Sequence, residues 1–381
     1  MSEENVFLSK GNQSFTIPLE KLKKEIAECL QIEHLNFLIG SGCSSRRDNG
    51  NEQAIPTMTE LSKLFFEENK EFKLLKTELP QEYKENLELV LETLVALRMI
   101  NNLKVVDKSI DSKIMLIHKH IREAINDGMK DETVKNFYKE FYLEILRKNR
   151  QNPINIFTTN YDLFSEWALD ELGFFYNNGF TGTYKRKFNP ITFNYAYVEN
   201  MNLSKDIWER IPNFFNLYKI HGSINWYSKN HEIIETTNKS LDEATMMIYP
   251  TPLKDRTTLM TPYSDLMRNM QYSLMKNNSI LVTLGYSFSD EHINRIILNT
   301  LSIPSFRLVI FGSGVNINKL KSINDNRIWI INSDDKIHYF DNIVRKVLPD
   351  MHDDILEQKS LIEKLILATN IIQGETKNDK S

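Results

Sequence analysis

The stretch NIFTTNYDLF, residues 155–164, carries the strongest fold signal in this chain. An apolar run ends abruptly in threonine, asparagine, tyrosine and aspartate side chains, and the residues that follow have the three- and four-residue spacing of a helix. This order predicts a buried strand, a polar loop and then a helix. A helix-capping role for Thr159 or Asp162 explains one polar residue but not the cluster.

Other short apolar runs have the same character, and each is bounded by turn or polar residues. Most are continuously apolar, which is typical of strands covered on both faces. Helix-like segments lie between several of them, so the pattern predicts an α/β fold with a Rossmann-like doubly wound parallel sheet. The runs are LNFLIG (35–40), INIFT (154–158), LYKI (217–220), SILVTLG (279–285), RLVIFG (307–312) and IWIIN (328–332).

Residues 57–150 interrupt the alternation of strands and helices. Four segments there carry apolar residues at helical spacing, which predicts an inserted helical layer or subdomain packed on the sheet. The polar stretch at about 227–247 predicts a surface flap. We therefore expect an N-terminal helical segment at 1–30, one large domain at 31–345, and a C-terminal helix and tail at 346–381.

Composition and charge narrow the class of protein. The formal net charge of −4 supplies no basic field that would attract nucleic acid. No run approaches the ~18 apolar residues of a membrane-spanning helix, and the first residues lack the pattern of a secretory signal. The two cysteines, Cys29 and Cys43, argue against a disulfide framework and a cysteine-based zinc site. We expect a cytoplasmic protein with no membrane partner.

Ligands of open parallel sheets bind beyond the carboxyl ends of the strands, and the loop FLIGSGCSSRR (37–47) is the first candidate there. Gly40 and Gly42 allow tight turning and close approach of the backbone to a phosphate. The dinucleotide-binding fingerprint requires a third glycine where this chain has Ser45, so an ordinary dehydrogenase is disfavoured. A structural turn without a ligand explains this loop nearly as well.

Two further loops offer amide and imidazole groups. In TTNYD (158–162), Asn160 can orient a ribose hydroxyl or a water, and Asp162 can hold that network in place. In LYKIHGSINW, His221 ends an apolar strand directly before Gly222. A neutral imidazole at that position can serve as a general base.

The last loop lies within LVTLGYSFSDEHIN (281–294). Gly285 permits close approach, while Ser287, Ser289 and Asp290 offer hydrogen-bonding groups and a cap for a helix that begins near Ser289. The spacing supplies no further ligands for a metal ion. The chain has no Walker loop of the form GxxxxGK[ST], so we do not expect it to hydrolyse ATP.

These motifs, taken in order, resemble the sirtuin-like family, and most closely its bacterial branch of NAD-consuming anti-phage defence proteins. The resemblance spans roughly residues 30–335 and includes the Rossmann-like order of elements. The matching motifs are GSGCS (40–44), IPTM (55–58), TTNYD (158–162), HGS (221–223) and GYSFSD (285–290).

The resemblance implies an NAD+ glycohydrolase that cleaves NAD+ to nicotinamide and ADP-ribose, with NAD as substrate. It assigns catalysis to Asn160, which orients the ribose or water, to His221 as base, and to Asp162 as support. Positioning and electrostatics are then expected to dominate the rate. The NAD-binding residues that the resemblance implies are Gly40, Ser41, Gly42, Ser44, Pro56, Thr159, Gly222, Gly285, Ser287 and Asp290.

One departure from the family pattern bears on the choice between NAD+ hydrolysis and protein deacylation. Protein deacylases of this family carry a four-cysteine zinc module after the HG motif, and here that span contains no cysteine. We therefore expect no zinc, and NAD-dependent deacylation is the alternative activity. A non-catalytic sensor of NAD or ADP-ribose is a second alternative. A nuclease activity of a larger complex stays open, although the sequence supplies no metal-binding carboxylate cluster.

The resemblance also bears on partners. The sequence after residue 335 leaves no room for a sensor domain of about 100 residues or more. A chain of this size resembles the family member that assembles with a HerA-like hexameric ATPase, so the resemblance implies a homo-oligomer controlled by assembly. The helices between 57 and 150 are candidates for self-association, although core packing explains any single face better. The trigger and the copy number are left open by the sequence.

Overall fold

A computed structural model provides the fold. It describes residues 4–48, 51–69, 72, 80–101, 108–147, 150, 152–202, 207–229, 232–236, 245–247 and 261–349. The C-terminal helix and tail expected at 346–381 lie outside the described residues from position 350 onward.

Eighteen strands are described, most of them short. They are β1 (Asn5–Lys10), β2 (Gln13–Pro18), β3 (His34–Ile39), β4 (Ser45–Asp48), β5 (Asn51–Ala54), β6 (Ile154–Thr158), β7 (Tyr176–Asn177), β8 (Phe180–Thr181), β9 (Arg186–Phe188), β10 (Val198–Asn202), β11 (Ile207–Arg210), β12 (Phe215–Lys219), β13 (Gly222–Lys229), β14 (Glu232–Glu235), β15 (Thr245–Met247), β16 (Ser279–Leu284), β17 (Arg307–Phe311) and β18 (Ile328–Asn332).

The described helices are amphipathic and pack against the sheet or against one another. They are α1 (Leu19–Cys29), α2 (Met58–Glu68), α3 (Gln81–Lys84), α4 (Leu87–Asn101), α5 (Lys108–Gly128), α6 (Glu132–Glu144), α7 (Phe164–Leu172), α8 (Tyr263–Leu274), α9 (Glu291–Thr300), α10 (Val315–Leu320) and α11 (Phe340–Asn342).

The central sheet has nine strands in the order β2-β1-β18-β17-β16-β3-β6-β12-β7. The strands from β18 to β7 are parallel, whereas β1 runs antiparallel to both β2 and β18. The chain winds from β3 outward to β6 and β12 and then returns to β16, β17 and β18. The strand order therefore reverses between β3 and β16, which is the switch point of a doubly wound sheet. The predicted α/β fold is confirmed.

Alternate residues of each strand serve the two faces of the sheet. Phe37 and Ile39 of β3 pack with α1, α6 and α7 on one face. Leu38, between them, packs with α8, α9 and α10 on the other face. Burial on both faces explains why these strands are continuously apolar, and it leaves their carboxyl ends as the natural place for polar loops.

The expectation of a helical segment over residues 1–30 is wrong for its first half. Asn5–Lys10 and Gln13–Pro18 form a β-hairpin that extends the central sheet, and only Leu19–Cys29 is helical. In the first strand Val6 and Leu8 are buried whereas Asn5 and Phe7 are exposed. The segment is thus part of the main sheet and not a separate element.

The predicted helical insertion is present, but its boundary differs from 57–150. Helices α2, α4 and α5 share an apolar cluster of their own, which includes Phe65, Leu91 and Ile117. Helix α6 instead buries Phe137 and Phe141 in the core of the main sheet. The inserted layer therefore ends with α5, at Gly128, and α6 covers one face of the sheet.

The polar stretch at about 227–247 is not a surface flap over its described residues. Strands β13, β14 and β15 form part of a five-stranded sheet in the order β15-β13-β14-β9-β8. Trp226 and Ile233 are buried and belong to one apolar cluster with α8 and α9. The described part of the stretch is therefore a partly buried sheet.

Two loops at the switch point touch through their glycines. The amide of Gly42 donates to the carbonyl oxygen of Gly285 at 3.0 Å, and Gly40 donates to Leu284 at 2.9 Å. A Cβ atom on Gly285 would lie 2.6 Å from the backbone nitrogen of Cys43, and Gly285 also has a φ of +59°. Both features require glycine at this position.

We predict that Gly285→Ala lowers the free energy of unfolding by about 2–5 kcal/mol, since it adds a steric clash to a left-handed backbone. The matched control is Gly173→Ala. Gly173 has a φ of +64°, but an added Cβ there meets no described atom within 4 Å, so only the backbone strain of about 1–2 kcal/mol applies. Urea unfolding measures both. Equal losses in the two variants would contradict the close contact of the loops.

Candidate active site

A cavity of about 420 Å³ lies at the carboxyl ends of four adjacent strands, β16, β3, β6 and β12. The loops that follow these strands form its floor. The cavity is lined by Ser41, Ser44, Ile55, Pro56, Met58, Leu61, Asn86, Glu88, Leu89, Ile121, Ile125, Thr159, Asn160, Tyr161, Asp162, His221, Gly285, Tyr286, Ser287, Ser289 and Asp290.

All four motif loops meet in this cavity, and most of the residues singled out in the sequence line it. Gly40, Gly42 and Gly222 are not among its lining residues. Gly40 and Gly42 pack against the backbone of Gly285 instead. Contact between the two loops therefore explains why glycine is required at both positions.

A buried hydrogen-bond network centred on Ser44 fixes the floor of the cavity. The Ser44 hydroxyl donates to Oδ2 of Asp162 at 2.6 Å and accepts from Nδ2 of Asn160 at 2.8 Å. It also lies 3.1 Å from the hydroxyl of Tyr138, which comes from α6. The sequence placed Asn160 and Asp162 together but gave no signal for Tyr138, because that residue lies in a helix with ordinary amphipathic spacing.

The amide of Asn160 is held so that its oxygen is left for another group. Its Nδ2 donates to Ser44 and to the carbonyl oxygen of Gly40 at 3.0 Å, and its backbone nitrogen donates to Oγ1 of Thr158. The Oδ1 atom is buried and has no hydrogen-bond partner among the described residues. A buried acceptor without a partner costs free energy, so this atom is suited to a ligand hydroxyl or a bound water.

Asp162 is a buried carboxylate held by several donors. Its Oδ1 accepts from the amide of Phe164 at the start of α7, and its Oδ2 accepts from Ser44. Burial raises the pKa of Asp162 above its usual value, while the charge of Lys219 and the two hydrogen bonds oppose that shift. Asp162 therefore orders the floor and is not positioned as a free base.

A buried ion pair that the sequence gave no reason to select lies beneath the floor. Nζ of Lys219 lies 3.0 Å from Oε1 of Glu166 and donates to the backbone carbonyl of Asp162. Burial raises the pKa of Glu166, and the charge of Lys219 opposes that shift. Lys219 is the last residue of an apolar strand, and a single buried lysine in such a run cannot be recognised from periodicity.

His221 lies next to a carboxylate at the surface of the cavity. Its Nε2 atom lies 3.1 Å from Oδ2 of Asp290 without forming a linear hydrogen bond. The other oxygen of Asp290 caps α9 by accepting from the amides of His292 and Ile293. The helix cap expected at Asp290 is thus present, and the same side chain also faces the imidazole. This second role was not expected from the sequence.

The helical insertion forms one wall of the cavity, which the sequence did not indicate. Oη of Tyr161 donates to Oε1 of Glu88 in α4 at 3.1 Å and links the wall to the floor. Because the wall residues are mostly apolar, they exclude water from one side of the polar loops. The residues that the insertion contributes are Met58, Leu61, Asn86, Glu88, Leu89, Ile121 and Ile125.

The charges at the cavity surface are acidic. Three carboxylates line it, from Glu88, Asp162 and Asp290, and no lysine or arginine occurs among the described lining residues. The hydroxyls of Ser287 and Ser289, 3.0 Å apart, also line it. Such a surface suits a ligand that has both a cationic group and hydrogen-bond acceptors.

Within the described part of the chain, no group of three or more histidine, cysteine, aspartate or glutamate side chains is arranged to hold a metal ion. No helix in the same residues is long and apolar enough to cross a membrane.

A family described as SIR2-like domain matches residues 154–308. The matched segment contains three of the four cavity loops, those with Asn160, His221 and Gly285. The match shows that this segment is similar to a SIR2-like domain. No curated protein matches the chain at a significant level.

We predict that Ser44→Ala lowers the free energy of unfolding by about 1–3 kcal/mol, because it removes a donor from the buried carboxylate of Asp162. Ser41→Ala is the control. Ser41 lies in the same turn but is exposed, so its loss should change stability by less than ~0.5 kcal/mol. Thermal or urea unfolding measures the difference, and equal stability of the two variants would contradict the network.

Proposed function

We propose that this chain is an NAD+ glycohydrolase that acts in the cytoplasm. The observation that carries the proposal is the buried Oδ1 of Asn160, which has no partner within the described part of the chain and lies in a cavity that also contains the His221–Asp290 pair. An acceptor, a basic imidazole and a carboxylate are the groups required to orient a sugar hydroxyl or a water and to remove a proton from it.

The proposed reaction breaks the bond between C1′ of the ribose and the nicotinamide nitrogen. The electron pair of that bond leaves with nicotinamide, which becomes neutral. A water oxygen forms the new bond to C1′, and its proton passes to His221. Nicotinamide, ADP-ribose and one proton are the products. Asn160 orients the hydroxyl or the water, and Asp290 stabilises the imidazolium that forms.

The cavity is compatible in size with a small-molecule ligand and in charge with the nicotinamide end of NAD. Its volume of about 420 Å³ falls within the range of about 300–1,000 Å³ for small-molecule sites. The cationic nicotinamide ring is compatible with the carboxylates of Glu88 and Asp290. The pyrophosphate meets no described lysine or arginine at the cavity surface, so hydroxyl groups such as Ser41 and Ser287, together with backbone amides, supply its hydrogen bonds.

The proposal includes a role for this activity in the cell. We propose an effector of anti-phage defence that depletes NAD+, forms a homo-oligomer and is controlled by assembly with a HerA-like hexameric ATPase. The resemblance of the ordered motifs to bacterial NAD-consuming defence proteins supports this role. Nicotinamide release should therefore be measured both with the chain alone and with such an ATPase present.

We predict that Asn160→Ala and His221→Ala each reduce nicotinamide release by at least ~100-fold, while the affinity for NAD changes by only a few-fold. Chromatography measures nicotinamide and ADP-ribose, and calorimetry measures binding. Asn277→Ala, an exposed asparagine outside the cavity, is the control and should retain full turnover.

Each alternative function gives a different result in the same experiment. NAD binding without turnover, with and without the ATPase, would contradict hydrolysis and leave a sensor. Release of O-acyl-ADP-ribose only when an acyl-lysine peptide is added would identify a deacylase. Full turnover in both variants would show that Asn160 and His221 do not carry the reaction.

Asp290→Asn tests the positioning role of Asp290. Asparagine is as good a helix N-cap as aspartate, so α9 is retained while the charge facing His221 is removed. We expect kcat to fall by about 10-fold or more with KM nearly unchanged. If KM rises and kcat is preserved, Asp290 binds NAD directly and does not act through His221.

A further inference from the structure

A second cavity, of about 340 Å³, lies at the opposite end of the central sheet. It opens at the amino ends of β3, β6 and β12, next to His34, Asn155 and Asn216. The remaining lining residues come from the chain just before β6, from the segment between β9 and β12, from β12 itself, and from α8 and the residues that follow it.

Basic side chains converge on this cavity, in contrast to the first one. Arg210, Lys276 and His34 line it, and its described lining residues include no aspartate or glutamate. Burial and then the charge of Arg210 lower the pKa of Lys276, while Glu33, outside the lining, opposes that shift. Burial and then Lys276 lower the pKa of His34, which Arg150 also lowers and Glu33 opposes.

The crowding of these groups has a physical consequence. Like charges brought together on a partly buried surface disfavour their own charged forms. An anion placed among them would relieve that repulsion and form charge-assisted hydrogen bonds. Phosphate is the common biological anion with several acceptor oxygens that match such donors.

Aromatic rings form the walls of the cavity. Phe193 stacks on Tyr218 with ring centroids 4.3 Å apart, and Tyr197 stacks on Phe214 with centroids 4.6 Å apart. Tyr272, in α8, is 67% exposed although it lines the cavity. Rings held in place by stacking present flat apolar surfaces, which are suited to a planar heterocycle.

A row of asparagines forms the floor. Asn216 donates to Asn155 at 3.0 Å, Asn155 donates to Asn36 at 2.8 Å, and Asn36 donates to Ser279 at 2.9 Å. In each of these bonds the amide nitrogen donates to the next residue of the row. The amide oxygen of Asn216 is therefore the acceptor at the cavity end of the row. An acceptor beside stacked rings can receive a hydrogen bond from an amino group of a nucleobase.

We propose that this second cavity binds a mononucleotide, with the phosphate held by Arg210 and Lys276 and the base held among the aromatic rings above Asn216. The cations, the rings and the amide occur together only at this end of the sheet among the described cavities. The proposal does not depend on NAD hydrolysis, because it concerns other residues at the opposite ends of the strands.

Calorimetric titration of the full chain with adenosine 5′-monophosphate tests the site, and adenosine is the phosphate-free probe. We expect Lys276→Glu to weaken binding of the nucleotide by about 10-fold or more and His221→Ala to leave it unchanged. Arg268→Glu is the matched control, since Arg268 lies in α8, is 74% exposed and is outside the cavity. It should bind the nucleotide as the unmodified chain does.

Arg210→Gln, at an exposed arginine, gives a second variant that retains the fold if Lys276→Glu does not, and it should also weaken binding. Equal affinity for the nucleotide in the unmodified chain and both cavity variants would overturn the proposal. So would adenosine binding as tightly as the nucleotide, because the cations would then play no part. The absence of nucleotide binding by the unmodified chain at millimolar concentration would also overturn it.

Discussion

The buried carboxylate of Asp162 is the constraint on which the active-site end of this molecule depends. A charge removed from water is tolerated only where donors and opposite charges surround it. Ser44, the amide of Phe164 and the charge of Lys219 meet this requirement. The first two come from the loop after β3 and from the start of α7, so one carboxylate fixes two separate loops. Asn160 is oriented as a consequence, since Ser44 also accepts from its amide.

Much of the sheet could be predicted from the sequence because its strands are covered on both faces. All six continuous apolar runs are strands, and together they set the doubly wound order. The hairpin at Asn5–Pro18 was missed for the opposite reason. The hairpin lies at the edge of the sheet, with only Val6, Leu8 and Ser9 buried in β1 and the first four residues of β2 exposed, so no long apolar run marks it. The strands beyond His221 were interpreted as a flap because polar and charged residues surround their few apolar positions.

The candidate site was predicted less completely. The ordered motifs located all four floor loops, because polar residues at the ends of buried strands have no role in the core. They could not locate the wall, since helical periodicity shows that a face is apolar but not what it covers. Tyr138 and Glu88 were not predicted as site residues for this reason, since both lie in helices. The role of a glycine is equally hidden, because close approach to a ligand and close approach to another loop require the same residue.

The contact between the Gly40 loop and the Gly285 loop restricts how this sequence can change over time. A side chain on Gly40 would lie 2.7 Å from the Cα atom of Tyr286, and one on Gly285 would meet the backbone of Cys43. Neither position can accept a larger residue until the partner loop has moved. Amino-acid substitutions at the two glycine positions are therefore coupled, although these positions lie in distant parts of the chain. Homologous sequences should keep both glycines or alter the two loops together.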